Sequence, residues 1–226
     1  MTTSMFSTAA DLARLIDHTA LKAATTRSEI DTLCQEAAAH GFWSVCIAPT
    51  WIVHAKTVLR GTSVKICTVV GFPLGNTSAA AKAAETAATI VDGADEIDMV
   101  INLGALKSGD LRALTADIAG VVGAADGRLV KTILETCYLT DEEKITAAKA
   151  AVDAGADFVK TSTGFGSAGA TTADIALLRA AVGPRIGVKA SGGIRDLKTA
   201  VAMVEAGATR LGLSSGIAVL REWATP

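Results

Sequence analysis

Short apolar runs recur along the chain, each bounded by turn-forming residues and separated from the next by a segment with helical spacing. They fall at Leu15–His18, Trp43–Ile47, Val64–Val70, Asp95–Val100, Leu129–Leu134, Asp157–Lys160, Ile186–Ala190 and Thr209–Leu213. Near-continuous apolar runs of this length between turn signals are how buried parallel strands read. The intervening segments carry helix start and stop signals. Thr26 with Glu29 and Thr140 with Glu143 fit the capping box, in which a hydroxyl satisfies an N-terminal amide and the acid reaches back. They predict helices near 27–39 and 141–153, ending at Gly41 and Gly155, where glycine permits a left-handed cap. The junctions Asp92-Gly-Ala-Asp95, Asp153-Ala-Gly-Ala-Asp157 and Glu205-Ala-Gly-Ala-Thr209 repeat one helix-to-strand connection, a trace of repeating βα units. Eight strands in 226 residues give about 28 residues per unit, so the pattern predicts an α/β fold, a compact (β/α)8 TIM barrel. No linker or composition shift divides the chain, so a single domain over residues 1–226 is expected. The rival, a doubly wound open sheet, requires a glycine-rich phosphate turn after its first strand; Thr19-Ala-Leu-Lys22 stands there instead.

Composition narrows the function classes. The chain is 50% hydrophobic and 19% charged with few aromatics, which suits helices packed closely over a β-branched sheet. A net charge of −2 and no basic cluster argue against nucleic acid or an anionic membrane as partner. No apolar stretch is long enough to span a bilayer, and residues 1–17 do not read as a signal peptide. Cys34, Cys46, Cys67 and Cys137 are scattered without a C-x-x-C pair. They read as reduced thiols of a cytoplasmic protein. His18, His40 and His54 lack metal-ligand spacing, so no metal and no cofactor is expected.

Charges inside the apolar runs are what change the picture. Alternate residues of a strand share a face, so Lys160 points with Phe158, away from Asp157, Val159 and Thr161. Glu96 pairs with Asp98 on one face, with Ile97 and Met99 on the other. Lys131 shares a face with Ile133 and Glu135, Lys189 alternates with Val188, and Asp17 closes the first strand. Buried charges without partners cost several kcal/mol, so Lys131, Lys160 and Lys189 must meet Asp17, Glu96, Asp98 and Glu135 across the barrel. A purely structural ion-pair network is one reading. Two strand lysines in consecutive units, each followed by Ser or Thr and Gly, favour another. At about 6 Å apart and an effective dielectric near 20, their repulsion is about 2.8 kcal/mol, enough for one of the pair to shed its proton near neutral pH. A desolvated amine beside a cation attacks carbonyls, with Asp98 placed to move protons.

The second constellation is Ser191-Gly192-Gly193 after strand seven and Ser214-Ser215-Gly216 after strand eight, with Gly164 to Gly169 as a third turn. Such turns present amides and hydroxyls to an anion, and barrels bind phosphate at the loops after their last two strands. Lysine chemistry and a phosphate cradle together imply a phosphorylated carbonyl substrate.

These residues resemble the deoxyribose-phosphate aldolases, class I enzymes that work through a lysine Schiff base on a TIM barrel. The resemblance covers nearly the whole chain and rests on Leu15-Ile-Asp-His-Thr19, Val45-Cys46, Val70-Gly-Phe-Pro-Leu-Gly75, residues 96–110 and 131–136, Phe158-Val-Lys-Thr-Ser-Thr-Gly-Phe165, Val188-Lys-Ala-Ser-Gly-Gly-Ile-Arg195 and residues 210–216. It implies that Lys160 forms the imine, that Lys189 assists it and relays protons, and that Asp98 is the acid/base. It implies metal-independent, reversible cleavage of 2-deoxy-D-ribose 5-phosphate to D-glyceraldehyde 3-phosphate and acetaldehyde, as in deoxyribonucleotide catabolism. Asp17, Thr19, Cys46, Lys131, Thr163, Gly164, Gly192, Gly193, Ser214 and Ser215 are the expected substrate-binding residues. Ala20, Ala23, Ala48 and Leu213 depart from residues common in that family, and Leu213 is expected to turn away from the interior. A homo-oligomer is left open. Two other functions fit the residues: a phosphate-binding barrel isomerase with Asp98 as base and Lys160 as electrostatic partner, and a barrel that binds a sugar phosphate without turnover.

Overall fold

The computed structural model describes residues 8–223; the ends of the expected 1–226 domain lie outside the described residues. Eight parallel strands close into a barrel in chain order. They are β1 (Ile16–Ala20), β2 (Ser44–Ile47), β3 (Lys65–Val70), β4 (Glu96–Val100), β5 (Leu129–Ile133), β6 (Phe158–Lys160), β7 (Gly187–Ser191) and β8 (Arg210–Leu213). Each expected strand is present, with ends displaced by at most two residues. The displacement matters at β1: Asp17 does not close it, because pairing to β8 runs on to His18 and pairing to β2 carries the strand to Ala20.

The helices are α1 (Ala9–Ala13), α2 (Arg27–His40), α3 (Ile52–Val58), α4 (Ala79–Asp92), α5 (Leu103–Lys107), α6 (Leu111–Ala124), α7 (Asp141–Asp153), α8 (Thr172–Val182), α9 (Leu197–Glu205) and α10 (Gly216–Trp223). Both predicted capping boxes form, at Thr26 with Glu29 and at Thr140 with Glu143. Gly41 caps α2 in the left-handed conformation at φ 67°. No helix among the described residues is long and apolar enough to cross a membrane.

The alternation of the strands sorts side chains into two environments. Ile97, Met99, Val159, Val188, Leu211 and Leu213 face outward into the apolar layer beneath the helices, so Leu213 turns away from the interior as its position predicts. The inward set is of another kind. Cys46, Cys67 and Val69 form a small apolar cluster with Leu21 and Phe72 on the β2–β3 side, while the remaining strands send in Asp17, Glu96, Asp98, Lys131, Lys160, Lys189 and Arg210. At the N-terminal end the Arg210 guanidinium lies between two rings, 4.5 Å from Trp43 and 5.4 Å from Phe158, and the Trp43 indole N–H donates to Glu96 at 2.6 Å. Phe158 fits because its strand neighbour is Gly187: a Cβ there would sit 2.1 Å from the ring. A second buried ion pair holds the outer layer. Lys82 of α4 reaches Asp117 of α6 at 2.6 Å and donates to the Val100 carbonyl at 2.8 Å, securing the end of the strand that carries Asp98.

Candidate active site

Strand register brings the charges together. Asp98 and Lys131 are Cα partners across β4 and β5, and Lys160 and Lys189 across β6 and β7. Asp98 stands at the centre: Oδ2 accepts from Lys160 Nζ at 2.7 Å and Lys189 Nζ at 2.7 Å, and Oδ1 accepts from Lys131 Nζ at 2.8 Å. The pairs continue as a closed ring. Lys131 meets Glu96 at 2.6 Å, Glu96 meets Arg210 at 3.1 Å, Arg210 meets Asp17 at 2.9 Å, and Asp17 accepts from Lys189. Ser44 also donates to Asp17, at 2.8 Å, and the Cys67 thiol donates to Asp98 at 3.2 Å.

The ring is closed but the charge is not balanced. Four cations, Lys131, Lys160, Lys189 and Arg210, face three carboxylates, Asp17, Glu96 and Asp98. Among the described residues Lys131 has three carboxylate partners and Lys189 and Arg210 two each, but Lys160 has only Asp98. The reading from two repelling lysines is corrected here, since a carboxylate sits between them. Burial, the largest influence on Lys189, disfavours its charge, but Asp17 and Asp98 outweigh it and the ammonium is held above its ordinary range. Burial likewise opposes the charges of Asp17 and Asp98. For Asp17 the pull of Lys189, Lys131 and Arg210 prevails, and for Asp98 that of Lys131, Lys160 and Lys189, so both carboxyls titrate well below the usual carboxylate range. Lys131 is raised well above the lysine range against burial by Asp98, Cys67, Asp17 and Glu96.

Above this floor a cavity of about 740 Å³ opens at the C-terminal end of the barrel. Lys160, 3% exposed, reaches it from below. Of the expected residues, Thr19, Lys160, Thr163, Gly164, Gly192, Gly193 and Ser214 line it. Asp98 and Lys189 lie directly beneath, in contact with Lys160 rather than with the cavity. Asp17, Cys46 and Lys131 are not on the wall either. Asp17 and Lys131 are fully buried because the ring engages their polar atoms, and Cys46 because it packs with Cys67 and Val69. Ser215 is turned aside, its hydroxyl donating to the Ile194 carbonyl at 2.9 Å. Ser191, whose hydroxyl is buried without a partner among the described residues, does line the cavity. Gly192 and Gly193 adopt φ of 83° and 80°, which opens their turn toward the same space.

Residues 12–223 match the sequence model of the DeoC/LacD family aldolases. The chain belongs to that family. It is 58% identical over 207 residues to the deoxyribose-phosphate aldolase of Brevibacillus brevis, covering 92% of this chain and 94% of that one. It is also 58% identical over 210 residues to the deoxyribose-phosphate aldolase of Streptococcus pneumoniae, covering 93% and 96%. Among solved structures, the deoxyribose phosphate aldolase of Aeropyrum pernix, described as tetrameric, superposes with a TM-score of 0.91 at 34% identity, covering 97% of this chain and 94% of that one. An aldolase named QR15 gives 0.90 at 39% identity, covering 95% and 96%.

Family membership makes this an aldolase, yet several members of its interior escape a reading of the sequence. Arg210 looks like a surface charge at the start of a strand, and Cys67 like an inert thiol. Burial is the first cause that pushes the Cys67 thiol well above its ordinary value, which keeps its proton available to Asp98. Two groups, Cys46 with Cys67 and Asp98, and Asp17 with Cys67 and Glu96, have the donor spacing of a cation site. The Lys131 ammonium already lies against Cys67, Asp98 and Glu96 at 3.3, 2.8 and 2.6 Å.

The interior predicts a pH window for stability. Asp17 and Asp98 have depressed native values, so their contribution is complete above the unfolded carboxyl pKa and is lost as pH falls toward the lower native one. Lys131 and Lys189 have raised native values, so theirs is complete below the unfolded lysine pKa and is lost above it. Urea midpoints are therefore expected to stay level between those limits, falling below about pH 4 and above about pH 10. A midpoint that stays level down to pH 3 counts against the network.

Proposed function

We propose that the chain cleaves 2-deoxy-D-ribose 5-phosphate, reversibly, to D-glyceraldehyde 3-phosphate and acetaldehyde, with Lys160 as the imine-forming amine. The observation that carries this is one contact set: Lys160 ends β6 at the floor of the cavity, 2.7 Å from an Asp98 oxygen that also holds Lys189. The contacts support the choice of lysine. Among the described residues Lys160 is the interior cation with a single carboxylate partner, and it is the one that lines the cavity.

In the cleavage direction the Lys160 amine adds to C1 of the open-chain sugar, and loss of water gives the protonated imine. That cation stands where the ammonium stood, against Asp98. Removal of the C3 hydroxyl proton then lets the C2–C3 bond break. Its electrons pass into the imine as an enamine, and glyceraldehyde 3-phosphate leaves. Protonation at C2 and hydrolysis release acetaldehyde and the amine. Asp98, held as a carboxylate, and Lys189, held as an ammonium, form a pair that exchanges protons with the Lys160 adduct, with water from the cavity completing the path. Ordinary proton transfer and an electron sink suffice for every step, so turnover is expected to survive a chelator.

The phosphate is assigned to the turns at Gly192, Gly193 and Ser214, with Gly164 packed beside Gly192. Asp17 and Lys131 act beneath the substrate, orienting Lys189 and Asp98 rather than touching it, and Cys46 packs behind them against Cys67. Incubation with acetaldehyde and borohydride, followed by peptide mapping, tests the proposal: a single reduced adduct at Lys160 is expected. An unlabelled Lys160 in a protein with proton-transfer turnover would sink it.

A further inference from the structure

Glu135 follows β5 and is one of two non-glycine residues in the left-handed backbone region among those described, at φ 55°. It is buried. Such a conformation is disfavoured for a side chain of this size and persists only where the surroundings hold it. What holds it is the loop after β6. The Thr163 amide donates to the two carboxylate oxygens at 3.2 and 3.3 Å, and the Thr163 hydroxyl donates to Oε2. That hydroxyl also accepts the Phe165 amide at 3.0 Å, and the Thr136 amide donates to the Thr161 carbonyl at 2.9 Å. The loop closes tightly on the carboxylate: a side chain at Gly166 would meet Cys137 Sγ at 2.8 Å and Glu135 Cδ at 3.1 Å.

A threonine hydroxyl has one proton and two lone pairs. Here the proton is directed to Glu135 and one lone pair takes the Phe165 N–H, which leaves one lone pair on a residue that lines the cavity three positions after Lys160. We infer that Glu135 is a positioning residue that fixes the Thr163 hydroxyl as a hydrogen-bond acceptor, so that Thr163 selects a hydroxyl group on the carbon chain of the substrate. A phosphate dianion, the main form above about pH 6, has only acceptor oxygens to offer and would be repelled at that point. The inference rests on the deoxyribose 5-phosphate reading and adds to it a second element of selectivity, separate from the glycine turns.

Glu135→Gln tests it, because the amide must set its NH₂ against either the Thr163 N–H or the hydroxyl. In the second case the hydroxyl turns its own proton toward the cavity. The kcat/KM for deoxyribose 5-phosphate is expected to fall roughly tenfold or more in Glu135→Gln and in Thr163→Val, with the double variant no worse than Thr163→Val, since the two act as a unit. Acetaldehyde carries neither hydroxyl nor phosphate, so borohydride labelling of Lys160 by it should stay within about threefold of the parent, as should inhibition by inorganic phosphate. Additive losses in the double variant overturn the inference. So does labelling or phosphate inhibition that weakens in step with kcat/KM, because Glu135 would then support the strand or the anion site. If Glu135→Gln does not fold, the same inference requires Thr163→Val to lose more kcat/KM than Thr163→Ser, which keeps the hydroxyl, and equal values for the two overturn it. A parent that fails to label at all sinks the aldolase reading first.

Discussion

In Lys160→Leu, cleavage of deoxyribose 5-phosphate is expected to fall by roughly four orders of magnitude or more, about 5 kcal/mol of barrier. The reason is chemical. Without the amine there is no imine, and the electrons of the breaking C2–C3 bond have no acceptor, so neighbouring acids and bases cannot compensate. Stability should change little, because Leu keeps most of the apolar stem and Asp98 retains Lys131 and Lys189 at 2.8 and 2.7 Å. Removal of the surplus cation also leaves three positive and three negative groups inside the barrel. The measurements are a coupled assay of cleavage, borohydride labelling with acetaldehyde, and urea unfolding followed by circular dichroism. Residual turnover above about 1% of the parent, or labelling that moves to another lysine with activity intact, would show that Lys160 is not the nucleophile.

Asp98→Asn is expected to damage both activity and stability, which separates it from the lysine variant. Asn matches Asp in size, but three ammonium groups lose their shared carboxylate at once. Four cations would then face two anions in a space from which water is excluded. Breaking a buried pair by neutralising one partner costs about 3–5 kcal/mol, so the urea midpoint should drop clearly. Loss of a general acid/base costs roughly 10²–10⁴-fold in rate, and imine formation should slow as well because Lys160 and Lys189 no longer share a proton acceptor. Activity that falls while the midpoint stays level would mean that Lys131, Glu96 and Asp17 hold the network without Asp98. Activity that survives would remove Asp98 from the proton path.

How much of this could be read in the chain follows from how far apart the interacting residues lie. The capping boxes at Thr26 and Thr140 and the left-handed cap at Gly41 involve neighbours within a few residues, so their chemistry is written locally, and they appear as expected. Lys160, Lys189 and Asp98 were legible for a different reason: an ionised side chain in the middle of an apolar run is expensive unless it is paired, and so it announces a partner. Arg210 begins its strand, where a charge looks solvated. Its burial depends on Trp43, just before β2, and Phe158 of β6. Lys82 and Asp117 stand on helices, where polar residues ordinarily mark the solvent face, and only the contact of α4 with α6 turns them inward. Glu135 showed its carboxyl but not its partner, since Thr163 lies 28 residues away.

The same division runs through the site. Alternation along each strand sent Glu96 and Asp98 to one face and Ile97 and Met99 to the other, because a pleated backbone points successive side chains to opposite sides. Periodic apolar runs and recurring glycine junctions were enough for an eight-stranded barrel, because each unit repeats the same local signals. Depth within the barrel had no such local signal. Whether an inward residue lines the cavity, as Lys160 and Thr163 do, or lies beneath it, as Asp17 and Lys131 do, depends on strand register and tilt around a closed sheet. So does the carboxylate that stands between two lysines where the chain alone suggested only their repulsion: register makes Lys160 and Lys189 neighbours, and barrel closure brings Asp98 from another strand to sit between them.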